Sequence, residues 1–382
     1  MSLITDTDAL ASFCERLSHS EFVTVDTEFI RDKTYWPILC LVQLAGEDEF
    51  AAVDTLADDI DLTPLLDLMR DRSVMKVFHV ARQDFEIFHR LMGMVPQPVF
   101  DTQVSAMVCG FGDQVGYETI VAKLARERVD KSMRFTDWAR RPLSAKQLEY
   151  ALADVTHLRV VYQKLQEILA KNGRAEWVAE EMTSLTSDDL YRFDPREAWQ
   201  RVKSRNPKRR FLGILREVAA WREEEAQKRD VPRNRIIRDD ALLEIAAHRP
   251  ASQDDLANLR GLNNGQAQGS FGRGILEAVA KGVALPDAEC PEVTESRQPS
   301  TPVGPSVDLL KVLVKLKSEE HDVAQRLIAN SADIEAIAAD DDADVAALRG
   351  WRREMFGEAA LALKHGRLAL TADGAKIKLV SL

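Results

Sequence analysis

The hydrophobic positions of this 382-residue chain change their period roughly halfway along it. Up to Asp194, short β-rich runs alternate with helical spacing; beyond it the apolar positions recur at helical intervals, with no convincing strand until the very end. In the first half, residues 22–29 (FVTVDTEF), 38–45 (ILCLVQLA) and 49–53 follow in quick succession, which suits antiparallel hairpins. The pattern then predicts a helix near 62–69, a strand at 74–79 (VMKVFH), a helix over 81–92 and a short strand at 99–100. Ser144, three residues ahead of Gln147, is the expected N-cap of a long helix running to about Lys171. The order predicts an α/β domain over residues 1–194, a mixed sheet flanked by helices, followed by all-α structure.

Within the helical half, residues 286–308 hold five prolines (Pro286, Pro291, Pro299, Pro302, Pro305) among Ser, Thr and Glu, the composition of an extended linker. It separates two expected helical domains, 205–285 and 309–382. A faint repeat brackets it: Val231, Ile236, Leu242, Ile245 and Ala246 recur ninety-two positions later as Val323, Ile328, Ile334, Ile337 and Ala338. Leu259-Arg260-Gly261 is echoed by Leu348-Arg349-Gly350. Any two helical bundles share apolar spacing, but a common offset with matching turns favours duplication.

Composition narrows the class. Apolar content of 45% and charged content of 30% are those of a soluble globular protein, and no apolar run is long enough to cross a bilayer. Met1 to Asp8 carry acid where a secretory leader would be basic, so a cytoplasmic location and no membrane partner are expected. Cys14, Cys40, Cys109 and Cys290 lie far apart with no C-x-x-C pair, as free thiols in a reducing compartment do. The net charge of −11 argues against nucleic-acid binding by the whole surface. Locally the balance reverses. Arg201, Lys203, Arg205, Lys208, Arg209, Arg210 and Arg216 fall in one stretch without an acid, either a solvated linker or a phosphate-binding run.

Three segments carry candidate chemistry. In Val25-Asp26-Thr27-Glu28-Phe29, residues two apart share a strand face, so Asp26 and Glu28 project together. Two adjacent carboxylates repel unless a cation lies between them, and a hard divalent ion takes oxygen ligands. Taken alone, the pair is better explained as an acidic strand end facing solvent. Asp84 falls in the first turn of the helix after the 74–79 strand, where acids are common. His79, at that strand's end, either faces a substrate phosphate or closes the core, the blander option being the stronger. Tyr150 and Asp154 are four apart on the long helix and share one face. Each piece alone is unspecific; the ordered set is what suggests a site.

These segments, in this order, resemble the three motifs of the DEDD exonuclease superfamily, tyrosine subclass. The surrounding text resembles the ribonuclease D family: VDTEFIRDKTYWPILCLVQLA, KVFHVARQDFEIF and VDKSMRFTDWARRPLSAKQLEYALADV. Downstream, LREVAAWREEEAQKRDVPRNRIIRDDALLEIA and LANLRGL resemble the helical HRDC module. The resemblance spans essentially the whole chain and is weakest over the last eighty or so residues. It implies a ribonuclease H-like fold followed by two HRDC-like domains, the second divergent. It implies two divalent cations, Mg²⁺ or Mn²⁺, held by Asp26, Glu28, Asp84 and Asp154, with Tyr150 orienting the attacking water. It further implies 3′→5′ hydrolysis of RNA with a free 3′ end, chiefly tRNA precursors, to nucleoside 5′-monophosphates. Expected RNA contacts are Phe29, His79, Trp138, Arg205, Lys208, Arg209 and Arg210; Trp138 lies in a basic stretch with Lys131, Arg134, Arg140 and Arg141, where a core anchor among exposed arginines is at least as good a reading. Competing readings are a 3′→5′ exodeoxyribonuclease of DNA repair, a catalytically inactive RNA-binding scaffold, and a helicase fragment. The last lacks a G-x₄-G-K-[ST] loop, and no nucleotide cofactor is expected.

Overall fold

The computed structural model describes residues 3–204, 208–292 and 304–382. By contacts the chain divides into two units, one of residues 1–28, 39–188 and 298–382, the other of 29–38 and 189–297. The linker prolines Pro299 and Pro302, and Arg205, lie outside the described residues.

The first unit is built on a six-stranded sheet of order β1-β4-β3-β2-β5-β6. Its strands are β1 (Leu3–Ile4), β2 (Phe22–Ile30), β3 (Ile38–Ala45), β4 (Phe50–Asp54), β5 (Met75–Phe78) and β6 (Val99–Asp101). β3 and β4 form the antiparallel pair that the short spacing predicts, while β2, β5 and β6 run parallel. The sheet is therefore mixed, as expected. β2 pairs with β5 only over Phe22–Thr24, so Val25 onward overhangs the ladder at its carboxyl end. Around the sheet are α1 (Thr7–Leu17), α2 (Thr63–Arg70), α3 (Arg82–Met92), α4 (Thr102–Val108), α5 (Tyr117–Leu124), α6 (Ala145–Asn172) and α7 (Ala175–Leu185). α6 starts at Ser144 with the reciprocal Ser144–Gln147 capping box and stops at Gly173 in a left-handed conformation. β1 and α1 have no counterpart in the strand and helix signals above: the two residues of β1 are too few to show a period, whereas α1 buries Leu10, Phe13, Cys14 and Leu17 at helical spacing.

The second unit is helical: α8 (Arg209–Arg229), α9 (Arg233–Ile236), α10 (Asp239–His248), α11 (Gln253–Ala257), α12 (Asn264–Ala267) and α13 (Gly269–Ala284). Its core gathers Leu212, Leu215, Val218, Leu242, Ile245 and Ile275. The buried charges Arg222 and Glu223 are both paired, Arg222 to Asp239 at 2.6 Å and Glu223 to Arg233 at 2.8 Å.

Residues 304–382 supply α14 (Gly304–His321), α15 (Gln325–Ile328), α16 (Ser331–Ala339), α17 (Gly350–Arg352), α18 (Glu358–Lys364) and a terminal hairpin, β7 (Leu368–Asp373) with β8 (Lys376–Ser381). The repeat read from apolar spacing extends to the backbone. Asp230 and Asp322 both take φ 49° at the equivalent turn, and Gly261 and Gly350 are both left-handed. Pro232 (φ −53°, ψ 136°) and Ala324 (φ −57°, ψ 131°) follow the same path, so loss of the proline left the turn intact. These helices dock on α4 and α7: Trp351 stacks on Trp177 at 4.5 Å, and Glu181 binds Arg352 at 2.7 Å. The Arg174 guanidinium also donates to the His321 carbonyl at 2.6 Å.

Candidate active site

Strand alternation turns Thr24, Asp26 and Glu28 to one face of β2. Thr24 shows which element covers it, for its hydroxyl donates to the Val155 carbonyl of α6 at 2.7 Å. Asp154, one residue earlier on α6, meets the two strand acids. One carboxylate oxygen from each of Asp26, Glu28 and Asp154 lies within 4.8 Å of the others. Asp84 stands outside that trio but beside it. Buried in the first turn of α3, it accepts a hydrogen bond from the Thr27 hydroxyl, and its charge acts on Glu28. The acids thus sit at the carboxyl ends of parallel strands, where open α/β sheets place their ligand crevices.

Burial and mutual repulsion dominate the electrostatics. Burial pushes Asp26 up to about 6. Glu28 rises to about 9, by burial first and then by the charges of Asp26, Asp154 and Asp84. Asp154 rises to about 8 through burial and Asp26, partly offset by a hydrogen bond from Tyr150. Asp84 lies well above the ordinary range, again through burial and Asp26. Every neighbouring charge acting on Glu28 is negative. Oδ1 of Asp154 is buried without a hydrogen-bond partner, although buried polar atoms are nearly always satisfied. An all-oxygen cluster with an orphaned acceptor and no internal cation fits a hard divalent metal.

Tyr150 lies one turn before Asp154. Burial, followed by Asp154, Glu28 and Asp26, raises its phenol above the usual tyrosine range. The protonated phenol is thus a hydrogen-bond donor beside Asp154.

The expected RNA contacts fare unevenly. Trp138 is 3% exposed, and its ring packs 6.1 Å from that of Tyr150. A core anchor of this kind offers no face to a base, which corrects the stacking role. The exposed aromatic of the segment is Phe135, 91% exposed with the Arg134 guanidinium 5.3 Å from its centroid. Arg141 is fixed to Asp54 at 2.6 Å. His79 has Nδ1 at 2.9 Å from the Thr102 hydroxyl and its ring against Tyr117. Burial lowers it to about 4, so it is neutral at physiological pH and cannot serve as a cationic phosphate ligand. Phe29 is half-buried in β2, and alternation turns it away from Glu28.

In the basic stretch, Arg209 pairs with Glu292 at 2.8 Å. Arg210 pairs with Asp287 and donates to the Val283 carbonyl at 3.0 Å. Both guanidinium groups thus close the end of their own helical unit, a structural use that run composition does not reveal. Lys208 immediately precedes α8.

Three residues escaped the sequence reading. Thr27 sits between two acids and alternates away from them, so its grip on Asp84 has no local signal. Tyr117, at the start of α5, donates from its hydroxyl to the backbone carbonyl of Asp154. Phe135 looked no different from Trp138 in a basic–aromatic stretch; only burial separates them.

Residues 1–170 match a 3′-5′ exonuclease family, and residues 211–279 match the HRDC domain. A ribonuclease D of Granulibacter bethesdensis is 51% identical over 381 residues, covering 100% of this chain and 96% of that protein. A ribonuclease D of Gluconacetobacter diazotrophicus is 53% identical over 376 residues, covering 98% and 96%. The crystal structure of Escherichia coli RNase D, an exoribonuclease involved in structured RNA processing, superposes with a TM-score of 0.78 at 30% identity, covering 96% of this chain and 98% of that one. With homology over its full length and a mixed sheet that gathers four acids beside a tyrosine, this chain belongs to the ribonuclease D family of 3′-5′ exoribonucleases.

Proposed function

We propose that this exoribonuclease trims the 3′ ends of structured cytoplasmic RNAs, chiefly tRNA precursors, releasing nucleoside 5′-monophosphates at a site that holds two divalent cations, Mg²⁺ or Mn²⁺. The observation that carries the reading is the convergence of Asp26, Glu28 and Asp154 within 4.8 Å, with Asp84 at their side and nothing cationic among them. Divalent ions bound there would supply charge relief on the phosphate and acidify the attacking water. The chain's own groups do the rest. The four carboxylates offset the cations' charge, so an anionic phosphate can enter. Tyr150, held protonated and beside Asp154, orients the water against the phosphorus.

For the substrate strand, Phe135 and Arg134 take the place of Trp138: an exposed ring beside a guanidinium suits stacking on an unpaired base. Arg134 also acts electrostatically on Tyr150, which puts this pair at the site's edge. In this reading residues 1–194 are catalytic, and the helical domains 205–285 and 309–382 extend the hold on folded RNA.

A 3′-extended tRNA precursor labelled at its 5′ end tests the proposal. Stepwise shortening with Mg²⁺ and release of 5′-monophosphates, lost on chelation, is the expected result. Equal degradation of a matched DNA strand, or products carrying 3′-phosphates, would overturn it.

A further inference from the structure

Asp154 is held by two tyrosines. Tyr150 reaches its carboxylate from the preceding turn, whereas Tyr117 reaches its backbone. In a regular α-helix the carbonyl of residue 154 is reserved for the amide of residue 158. Here the Tyr117 hydroxyl donates to that carbonyl as well, while α6 runs unbroken over Ala145–Asn172. The hydroxyl is thus an added donor to the backbone of α6 at the acid itself. The next carbonyl, that of Val155, takes the Thr24 hydroxyl from β2 at 2.7 Å, so two successive peptides of α6 are pinned from outside the helix. Tyr117 in turn is fixed by the His79 ring, 5.2 Å away between centroids, and His79 by Thr102 at 2.9 Å. The relay runs from the end of β5 through α5 to the acid.

Resting on the proposed metal site, we infer that Tyr117 is a positioning residue: its hydroxyl, bonded to the Asp154 carbonyl, helps set the Asp154 carboxylate where it can share a cation with Asp26 and Glu28. One feature separates this from ordinary packing. The hydroxyl touches the backbone of a metal acid and no other site residue carries that contact among the described residues. Residues that orient metal ligands typically change metal affinity by about 10–100-fold when removed.

Tyr117→Phe deletes the hydroxyl and keeps the ring against His79. Mn²⁺ binding to the RNA-free protein, followed by calorimetry, is expected to weaken about tenfold. The kcat should fall with KM for RNA unchanged. The proposal is overturned if Tyr117→Phe binds Mn²⁺ as wild type does, whatever its melting temperature; a merely structural tyrosine would lower melting and leave the affinity of the folded protein alone. Asp154→Asn and Asp26→Asn separate the two readings. If they retain wild-type Mn²⁺ binding, the metal site is misplaced; if they lose it while Tyr117→Phe does not, only the role of Tyr117 fails. Should Tyr117→Phe fold poorly, Thr24→Val, which removes the neighbouring pin, must then weaken Mn²⁺ binding, and unchanged affinity there overturns the mechanism as well.

Discussion

The acidic site on β2 and α6 and the basic stretch at the head of α8 are both clusters of like charge, yet they resolve in opposite ways. Arg209 and Arg210 each find a carboxylate and carbonyl oxygens within their own unit. Asp26, Glu28, Asp84 and Asp154 meet chiefly one another, and burial lifts all four above the ordinary carboxylate range. Folding neutralises the arginines internally and leaves the acids to be neutralised by something added. Unrelieved repulsion in a buried cluster therefore marks the site, whereas density of charge along the sequence does not.

The sharpest way to break that contrast is to remove one acid. Asp84→Asn is expected to reduce nucleotide release to near background, while Tyr150→Phe slows it by roughly 10²-fold and spares Mn²⁺ affinity. Time courses on end-labelled RNA, with calorimetry of the metal, check both; full activity in Asp84→Asn would reject the assignment. Next in size is Phe135→Ala, expected to raise KM by about tenfold, since a stacked base contributes about 1–3 kcal/mol. Trp138→Phe serves as the comparison, because a buried ring affects melting before it affects KM.

The pH response tests the acids without RNA. Their ordinary values, 3.8 for Asp and 4.5 for Glu, rise in the fold to about 6 for Asp26, 8 for Asp154 and 9 for Glu28. The folded state then binds more protons than the unfolded chain between pH 4 and 9, so metal-free stability falls as pH rises through that window. Added Mg²⁺ should flatten the decline, because the cation replaces the protons. Melting scans from pH 5 to 9 with EDTA or Mg²⁺ read this directly. A metal-free protein that melts higher at pH 9 than at pH 5 would contradict the cluster's electrostatics.

The smallest effect belongs to the arginines. Arg209→Ala and Arg210→Ala should each destabilise by about 1 kcal/mol or less, as partly exposed ion pairs do. The salt dependence of RNA binding should hardly move. A slope reduced by about 0.7–0.9 per arginine would instead return them to phosphate contact.

Local chemistry made much of this molecule legible in advance. The Ser144–Gln147 box fixes the start of α6, period-two alternation puts Asp26 and Glu28 on one face of β2, and helical spacing puts Tyr150 with Asp154. The repeat across the linker is legible because apolar residues such as Ile245 and Ile337 recur at one offset, and the structure adds the matching left-handed turns at Asp230 and Asp322. What the sequence by itself determined were thus properties written within a few residues: period, cap, turn and face.

Tertiary structure alone decided the rest. It made Phe135 the exposed ring and Trp138 the buried one, and it paired Arg210 with a carboxylate 77 residues away. It also brought Thr27 to Asp84 over 57 residues and Tyr117 to Asp154 over 37. Burial and pairing are sums over neighbours distant in the chain, so no local window carries them. The same residue types, at similar density, become ligands where partners are lacking and struts where partners are met.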